Sequence, residues 1–200
     1  EVKDILAYFR TVSNPLDTVS LLRIINYPLR GIGEATLAKL RQHALQNQKA
    51  FFDVLGKADE VAGLSKGVVK KIRSLHRFIS KYIEMKEYFS LTELANSRVE
   101  ETGILQKYKE EGSPDSLART ENIRALLNAI YEYAQLHENA TLEGFLEEVA
   151  LISDIDSWED RSNAVTLMTL NRAKGLEFTV VLVCGLEEGL FPVSRSHDNR

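Results

Sequence analysis

The sequence predicts a mainly α-helical chain with a small α/β segment of two strands at its C-terminal end. Apolar residues recur at intervals of three and four up to about residue 152, which is the period of helices that bury one face. Two β-branched runs, 165–170 and 180–184, then follow a polar and acidic stretch. Unbroken apolar runs of that length are typical of strands buried on both faces of a parallel sheet.

The first quarter of the chain predicts three helices around a glycine-containing turn. Apolar spacing predicts a helix over residues 1–12, which the Asn14-Pro15 pair ends. Asp17 or Thr18 can cap a second helix that continues to residue 26, and Pro28 follows it. A third helix begins just after Gly33. The chain therefore reverses direction within a short turn that carries two glycines.

The same spacing predicts helices over most of the remaining sequence up to residue 152. They cover residues 65–88, 91–97, 104–109, a helix that starts at Asp115 or Ser116, and 141–152, while residues 50–56 form either a short apolar turn or a helix. The helix over 65–88 is the most basic segment, with Lys66, Lys70, Lys71, Arg73, Arg77 and Lys81. Such a run is either a solvated face or a contact with the DNA backbone.

A polar, acidic stretch over residues 153–162 predicts a linker and a domain boundary. After it, the periodicity changes from that of helices to that of strands. Charged and small residues, Asn171 to Glu177, lie between the two apolar runs. In an open α/β sheet, ligands bind at the carboxyl ends of the strands, so this loop is a candidate binding site. The alternative is an ordinary turn made by Gly175.

Composition restricts the function classes. The net charge of −4 argues against a strongly basic nucleic-acid module, although a local basic patch can still bind phosphate. No apolar run is long enough to cross a membrane, so no membrane partner is expected. The single cysteine, Cys184, excludes an internal disulfide and fits a reducing, cytoplasmic compartment.

Several segments resemble one family. The run TLNRAKGLEF (169–178) closely resembles motif V of the superfamily-I DNA helicases of the UvrD/Rep type, and GLEEGLFP (185–192) resembles the segment after that motif. Residues 1–10 resemble the helix that leaves the second motor domain. Residues 23–33 resemble the entry to the inserted 2B subdomain.

The resemblance implies a domain organisation. Residues 1–10 would be a helix of the RecA-like 2A domain, residues 11–160 a helical 2B subdomain, and residues 161–200 a 2A fragment with motif V. Residues 1–160 would then be mainly helical and the last segment would carry the two strands.

The resemblance also implies roles for motif V. Glu177 matches the glutamate that contacts the ribose of ATP, and Lys174 and Gly175 would shape the loop near the phosphates. Thr169 and Asn171 would face single-stranded DNA. The family commonly has a histidine where this chain has Asn171, and that histidine is associated with coupling between nucleotide and DNA. Asparagine forms hydrogen bonds but carries no charge.

The turn around residues 31–33 is a second candidate site. Glycines allow close approach of backbone N–H groups to a ligand, and the following helix N-terminus favours anions. If Gly33 is left-handed, a valine there would strain the backbone. The resemblance implies that this loop contacts duplex DNA, in the manner of a helix-hairpin-helix; the alternative is a plain corner between helices. The candidate residues are Arg30, Gly31, Ile32, Gly33, Thr36 and Lys39.

The sequence has no GxxxxGK[ST] phosphate loop and no cysteine–histidine spacing typical of zinc sites. We therefore expect a non-catalytic piece of an ATP-dependent DNA helicase that translocates on single-stranded DNA and unwinds duplex in repair or replication. ATP and Mg²⁺ would act in the full-length protein, and neither would be bound by this piece alone. Expected partners are single-stranded and duplex DNA, with repair or replication proteins. The alternative is a helix-hairpin-helix-like DNA-binding module or a protein-interaction module.

Overall fold

The structure is a computed structural model that describes residues 1–156, 167–169, 173 and 177–186. The chain divides into two compact units, residues 1–152 and 153–200. The helices are α1 Val2–Ser13, α2 Thr18–Ile24, α3 Glu34–Gln46, α4 Phe51–Gly56, α5 Lys66–Met85, α6 Leu91–Glu101, α7 Ile104–Glu111, α8 Pro114–Leu136 and α9 Leu142–Asp156, with a 3₁₀ turn at Ala58–Glu60. The mainly α fold class is therefore confirmed.

Helix α1 lies at the centre of the first unit. Five consecutive residues, from Ile5 to Phe9, are buried, and Tyr8 and Phe9 have no exposed surface. A helix that is buried on all sides needs neighbours around it. Helices α2, α5 and α8 supply them by packing against α1. The assignment of residues 1–10 to a motor domain stays a prediction, and the structure places them in the core of this unit.

Side-chain caps explain where several helices begin. Asp17 accepts a hydrogen bond from the Ser20 backbone N–H at 3.0 Å at the start of α2. Ser90 and Glu93 form a reciprocal capping box at the start of α6. Ser113 caps α8, so this helix begins at Pro114, before the predicted Asp115 or Ser116. Proline suits the first helical position because its missing N–H has no intrahelical partner there.

The predicted linker over 153–162 is wrong for its first four residues, because α9 continues to Asp156. Apolar residues at Val149, Ile152 and Ile155 keep helical spacing into this segment, which outweighs its acidic composition. Residues 157–162 lie outside the described residues.

In the second unit, the described residues after 156 contain no strand. Residues 181–186 have no regular structure, and the side chains of Val181 and Leu182 are 63% and 84% exposed. Half of the first predicted run, 165–170, lies outside the described residues. A strand needs a paired neighbour, and apolar content alone does not form one. In the described part of the chain, no helix is long and apolar enough to cross a membrane.

Candidate nucleic-acid interface

The turn between α2 and α3, residues 25–33, is held from within by one side chain. Asn26 Oδ1 accepts hydrogen bonds from the backbone N–H groups of Arg30, at 2.9 Å, and Ile32, at 3.0 Å. Ile32 is 1% exposed and packs in the core. Two of the backbone donors that the sequence offered for phosphate are therefore engaged inside the protein. Ile32 anchors the turn, and its neighbours Gly31 and Gly33 remain exposed.

The two glycines of the turn have different conformations. Gly31 has φ of +71°, the left-handed region that favours glycine. Gly33 has φ of −91° and ψ of 177°, an extended conformation that any residue can adopt. The condition under which a valine at Gly33 would strain a left-handed residue is therefore not met. Gly33 is the N-cap of α3 and supplies no capping side chain, and Thr36 follows in the first helical turn, where its N–H bonds to Gly33 O at 3.0 Å.

Arg30 is bound to the end of α2 and to α1. Its Nη1 donates to three backbone carbonyl oxygens, those of Ile24 at 2.9 Å, Tyr27 at 2.8 Å and Pro28 at 3.2 Å. Its Nη2 donates to the Tyr8 hydroxyl at 2.6 Å. A cation suits the carbonyls at a helix C-terminus, which carry partial negative charge. Arg30 therefore closes the turn, and its contact with DNA stays a prediction.

Lys39 also has a partner within the chain. Its Nζ donates to the Gly63 carbonyl oxygen at 2.6 Å, which joins α3 to the segment before α5. The lysine is exposed, so this bond competes with water and is weaker than a buried one. Lys39 is close to the glycine turn in the sequence. In the structure, however, its ammonium group binds the loop at Gly63 and not the glycine turn. Its role toward DNA is untested.

Tyr8 connects the turn to a buried arginine. Arg98 of α6 is 1% exposed, and its Nη2 donates to the Tyr8 carbonyl oxygen at 2.8 Å. Its guanidinium carbon lies 5.2, 5.4 and 5.1 Å from the ring centroids of Tyr8, Phe78 and Tyr82. Burial lowers the pKa of Arg98, while the ring faces offset part of the cost of burying its charge. Within the described residues, Nε and Nη1 have no hydrogen-bond partner.

A chain of tyrosine hydroxyls extends from the same place. The Tyr8 hydroxyl donates to the Tyr27 carbonyl, and the Tyr27 and Tyr108 hydroxyls share a hydrogen bond. Burial and the bond to Tyr108 raise the pKa of Tyr27, and burial raises that of Tyr8 despite Arg30. Both phenols are neutral at physiological pH. The network therefore ties the glycine turn to α1 and α7.

The motif V segment is described only in part. Thr169 and Glu177 are exposed, and the Ala173 N–H donates to the Thr169 carbonyl at 3.1 Å. Asn171, Lys174 and Gly175 lie outside the described residues. The prediction that these five residues meet ATP or single-stranded DNA is therefore untested.

Comparison with known proteins decides the family. The profile of the UvrD-like helicase C-terminal domain matches residues 1–200. The chain belongs to this family. Its resemblance to UvrD/Rep-type superfamily-I helicases is thereby confirmed.

Three relatives of this UvrD-like chain share one name. The chain is 41% identical over 202 residues to the ATP-dependent DNA helicase PcrA of Bacillus subtilis (strain 168). It is 38% identical over 201 residues to the proteins of that name from Staphylococcus aureus (strain Mu50) and Staphylococcus epidermidis. These matches cover 98% of the chain and 27% of each relative. The chain thus spans about a quarter of the length of these curated relatives.

Sequence reasoning on this UvrD-like chain did not single out Lys71 for the glycine turn. A cleft of about 390 Å³ separates the turn from α5, and its lining includes Leu29, Arg30, Lys71, Ser74, Phe78 and Glu101. Lys71 belongs to the basic run that the sequence analysis flagged as a whole. Helical spacing alone could group Lys71 with Ser74 on one face, but only the fold shows which face meets the turn.

Proposed function

We propose that this chain is part of an ATP-dependent DNA helicase that moves along single-stranded DNA and unwinds duplex. The observation that carries the proposal is the similarity over 98% of the chain to relatives named ATP-dependent DNA helicase PcrA. Repair or replication of DNA is the proposed setting, and proteins of those processes are the proposed partners.

Within that protein, the glycine turn would contact duplex DNA. Gly31 and Gly33 are exposed, and the N-terminus of α3, which no side chain caps, follows them directly. Oriented N–H groups at a helix N-terminus favour phosphate. Thr36 would add a hydroxyl in the first turn of that helix. In this arrangement Arg30 and Ile32 position the turn, through the carbonyls and the core described above, and Lys39 holds the Gly63 loop beside α3.

Motif V would act at the nucleotide and at the single strand. Glu177 is exposed, so its carboxylate is open to hydrogen bonds from the ribose hydroxyls of ATP. Lys174 and Gly175 would shape the loop near the phosphates, and Thr169 and Asn171 would face the DNA strand. The sequence has no phosphate loop of the GxxxxGK[ST] form, so another segment of the whole protein would hold the phosphates and Mg²⁺.

The test uses the whole protein and two substitutions. Glu177→Ala should weaken ATP binding and slow unwinding of a tailed duplex. Glu121→Ala, at an exposed glutamate of α8, is the control for loss of one carboxylate and should behave like the parent. Absence of ATP-dependent unwinding by the parent would contradict the proposed activity. Unchanged nucleotide affinity in Glu177→Ala would remove only the ribose assignment.

A further substitution tests the coupling between nucleotide and single-stranded DNA at motif V. If coupling requires the family's histidine, Asn171→His in the whole protein should raise the ATPase rate that single-stranded DNA stimulates. A titration of steady-state ATPase against single-stranded DNA measures this. If asparagine suffices, the rate will change little or fall.

A non-catalytic duplex-binding module is the second candidate function. The left-handed Gly31 before the α3 N-terminus favours it, because a turn without side chains lets phosphate approach the N–H groups of a helix N-terminus. Tight duplex binding by the chain alone, without unwinding by the whole protein, would support this candidate. A protein-interaction module would show neither property.

A further inference from the structure

One cation beside the glycine turn has no partner in the described structure. Lys71 Nζ lies 3.4 Å from the position that a Cβ on Gly31 would occupy. The Lys71 side chain is exposed, and no ion pair or hydrogen bond of the described residues includes it. Its charge is therefore available to a ligand at the turn.

The neighbouring cations are already engaged. Both terminal nitrogens of Arg30 donate to groups of the chain, and the Lys39 ammonium donates to Gly63 O at 2.6 Å. On α5 itself, Lys81 pairs with Glu101 at 2.6 Å, and Arg73 pairs with Asp59 at 3.1 Å. Among the charged side chains around the turn, Lys71 can gain an anionic partner without losing an existing one.

The cleft that contains Lys71 has both polar and apolar walls. Ser74 lies three residues after Lys71, so its hydroxyl is on the same face of α5. Leu29 and Phe78 supply apolar surface, and Leu29 is 83% exposed although it is apolar. Glu101 also lines the cleft, but Lys81 and Tyr82 donate to its carboxylate at 2.6 and 2.7 Å. These walls suit a phosphate joined to a deoxyribose, whose C–H groups can pack against Leu29 and Phe78.

We propose that Lys71 and Ser74 hold one backbone phosphate of duplex DNA beside Gly31, with the adjoining deoxyribose against Leu29 and Phe78. The left-handed Gly31 has no side chain, so the phosphate can approach the turn closely. A contact of this kind reads the backbone and not the bases, so it is independent of DNA sequence. The inference rests on the proposed duplex contact of the glycine turn and adds a cation whose charge no group of the described chain already uses.

The test measures binding of the purified chain to a labelled DNA hairpin at several salt concentrations. Lys71→Ala should weaken binding roughly three- to tenfold and lower the slope of log K against log salt by about 0.9, the value for one phosphate contact. Lys71→Arg should restore binding because it keeps the charge. Ser74→Ala should weaken binding with an unchanged slope, because it removes a hydroxyl and no charge.

The control is Arg124→Ala. Arg124 is exposed on α8, and α8 does not line the described cleft. The substitution removes one positive charge from the chain, and we expect an unchanged salt slope. Far-ultraviolet circular dichroism and thermal unfolding of each variant check that the fold is intact.

The outcomes separate the two proposals. If the parent chain binds duplex, and Lys71→Ala and Arg124→Ala lose the same affinity and salt slope, the Lys71 site is overturned and the duplex contact stands. If the parent chain binds no duplex at low salt, the duplex contact of the glycine turn fails, and the Lys71 site fails with it. The site is supported if Lys71→Ala alone loses affinity and salt slope, the control variant does not, and Lys71→Arg restores both.

Discussion

Arg30 shows that a cation beside a candidate binding loop can be required by the fold itself. Its guanidinium reaches three carbonyls near the end of α2 and the hydroxyl of Tyr8. Several donors from one rigid group fit this cluster of acceptors, which a lysine could not match. The sequence indicates a basic residue next to Gly31, but not that neighbouring carbonyls use its donors.

We therefore expect Arg30→Ala to lower the stability of the chain more than its affinity for DNA. The free energy of unfolding should fall by about 1–3 kcal/mol, because half-buried carbonyls lose a charged donor. Arg23→Ala is the control: Arg23 is exposed and pairs with Asp4 at 2.6 Å, so its loss should cost about 0–1 kcal/mol. Urea unfolding followed by circular dichroism compares them. Equal losses in both variants would show that the Arg30 bonds contribute little.

At the scale of elements, the helices were predictable where local signals agree. Apolar spacing predicted α1, α3 and α5, and polar residues before a helix, such as Ser90, act as caps in the structure. Errors occurred at boundaries. The start of α8 depends on Ser113 and Pro114, and the end of α9 depends on apolar spacing that outlasts the change in charge. The first error came from missing Ser113 as the cap, and the second from weighing acidic composition above periodicity.

Substitution of the two glycines tests the conformation of the α2–α3 turn. Gly31→Ala should destabilise the chain by roughly 1–2 kcal/mol, because an L-residue is strained in the left-handed region. Gly33→Ser should stabilise it by about 0.5 kcal/mol or more, because Gly33 is extended, its Cβ would meet nothing within 4 Å, and a serine can cap α3. Thermal unfolding of the two variants against the parent measures both effects. Similar destabilisation by both would contradict the assigned conformations.

The contact between α5 and α6 should depend on pH through Glu101. Partial burial of this carboxyl opposes ionisation, but hydrogen bonds from Lys81 and Tyr82 outweigh it and lower the pKa of Glu101 below its ordinary value of 4.5. The folded state therefore binds this proton more weakly than the unfolded state. The resulting stabilisation is fully present above about pH 4.5 and disappears as the pH falls through the folded pKa.

Glu101→Gln should consequently lower stability at pH 7 and reduce its loss on acidification. The effect should be about 1 kcal/mol or less, because the pair is partly exposed and water screens it. Glu100→Gln, at the exposed neighbouring residue, is the control and should follow the parent. Urea midpoints measured between pH 3 and 7 compare the three proteins. Parallel curves for the parent and Glu101→Gln would contradict the role of this carboxylate.

At the scale of the whole molecule, the sequence predicted the helical class and the family but not the meeting of distant residues. Gly31 and Lys71 are distant in sequence and come together in a fold where α3 packs against α4 and α4 against α5, and no local pattern encodes that contact. The two predicted strands would also depend on distant residues, because a strand needs a pairing partner. The described residues of 167–186 contain no strand. Apolar periodicity shows which face of a helix is buried, but it does not show which other element that face packs against.

The whole-molecule prediction concerns catalysis. The purified chain should show no ATPase activity with or without DNA, because its sequence has no phosphate loop to stabilise the charge of a transferring phosphoryl group. Glu177 contacts only the ribose in the proposed arrangement, and a ribose contact binds nucleotide without activating the attacking water. Phosphate release measured with single-stranded DNA present should equal the buffer blank, while the whole protein, assayed in parallel, releases phosphate. DNA-stimulated release by the purified chain that Glu177→Ala abolishes would show that this segment holds a complete hydrolytic site.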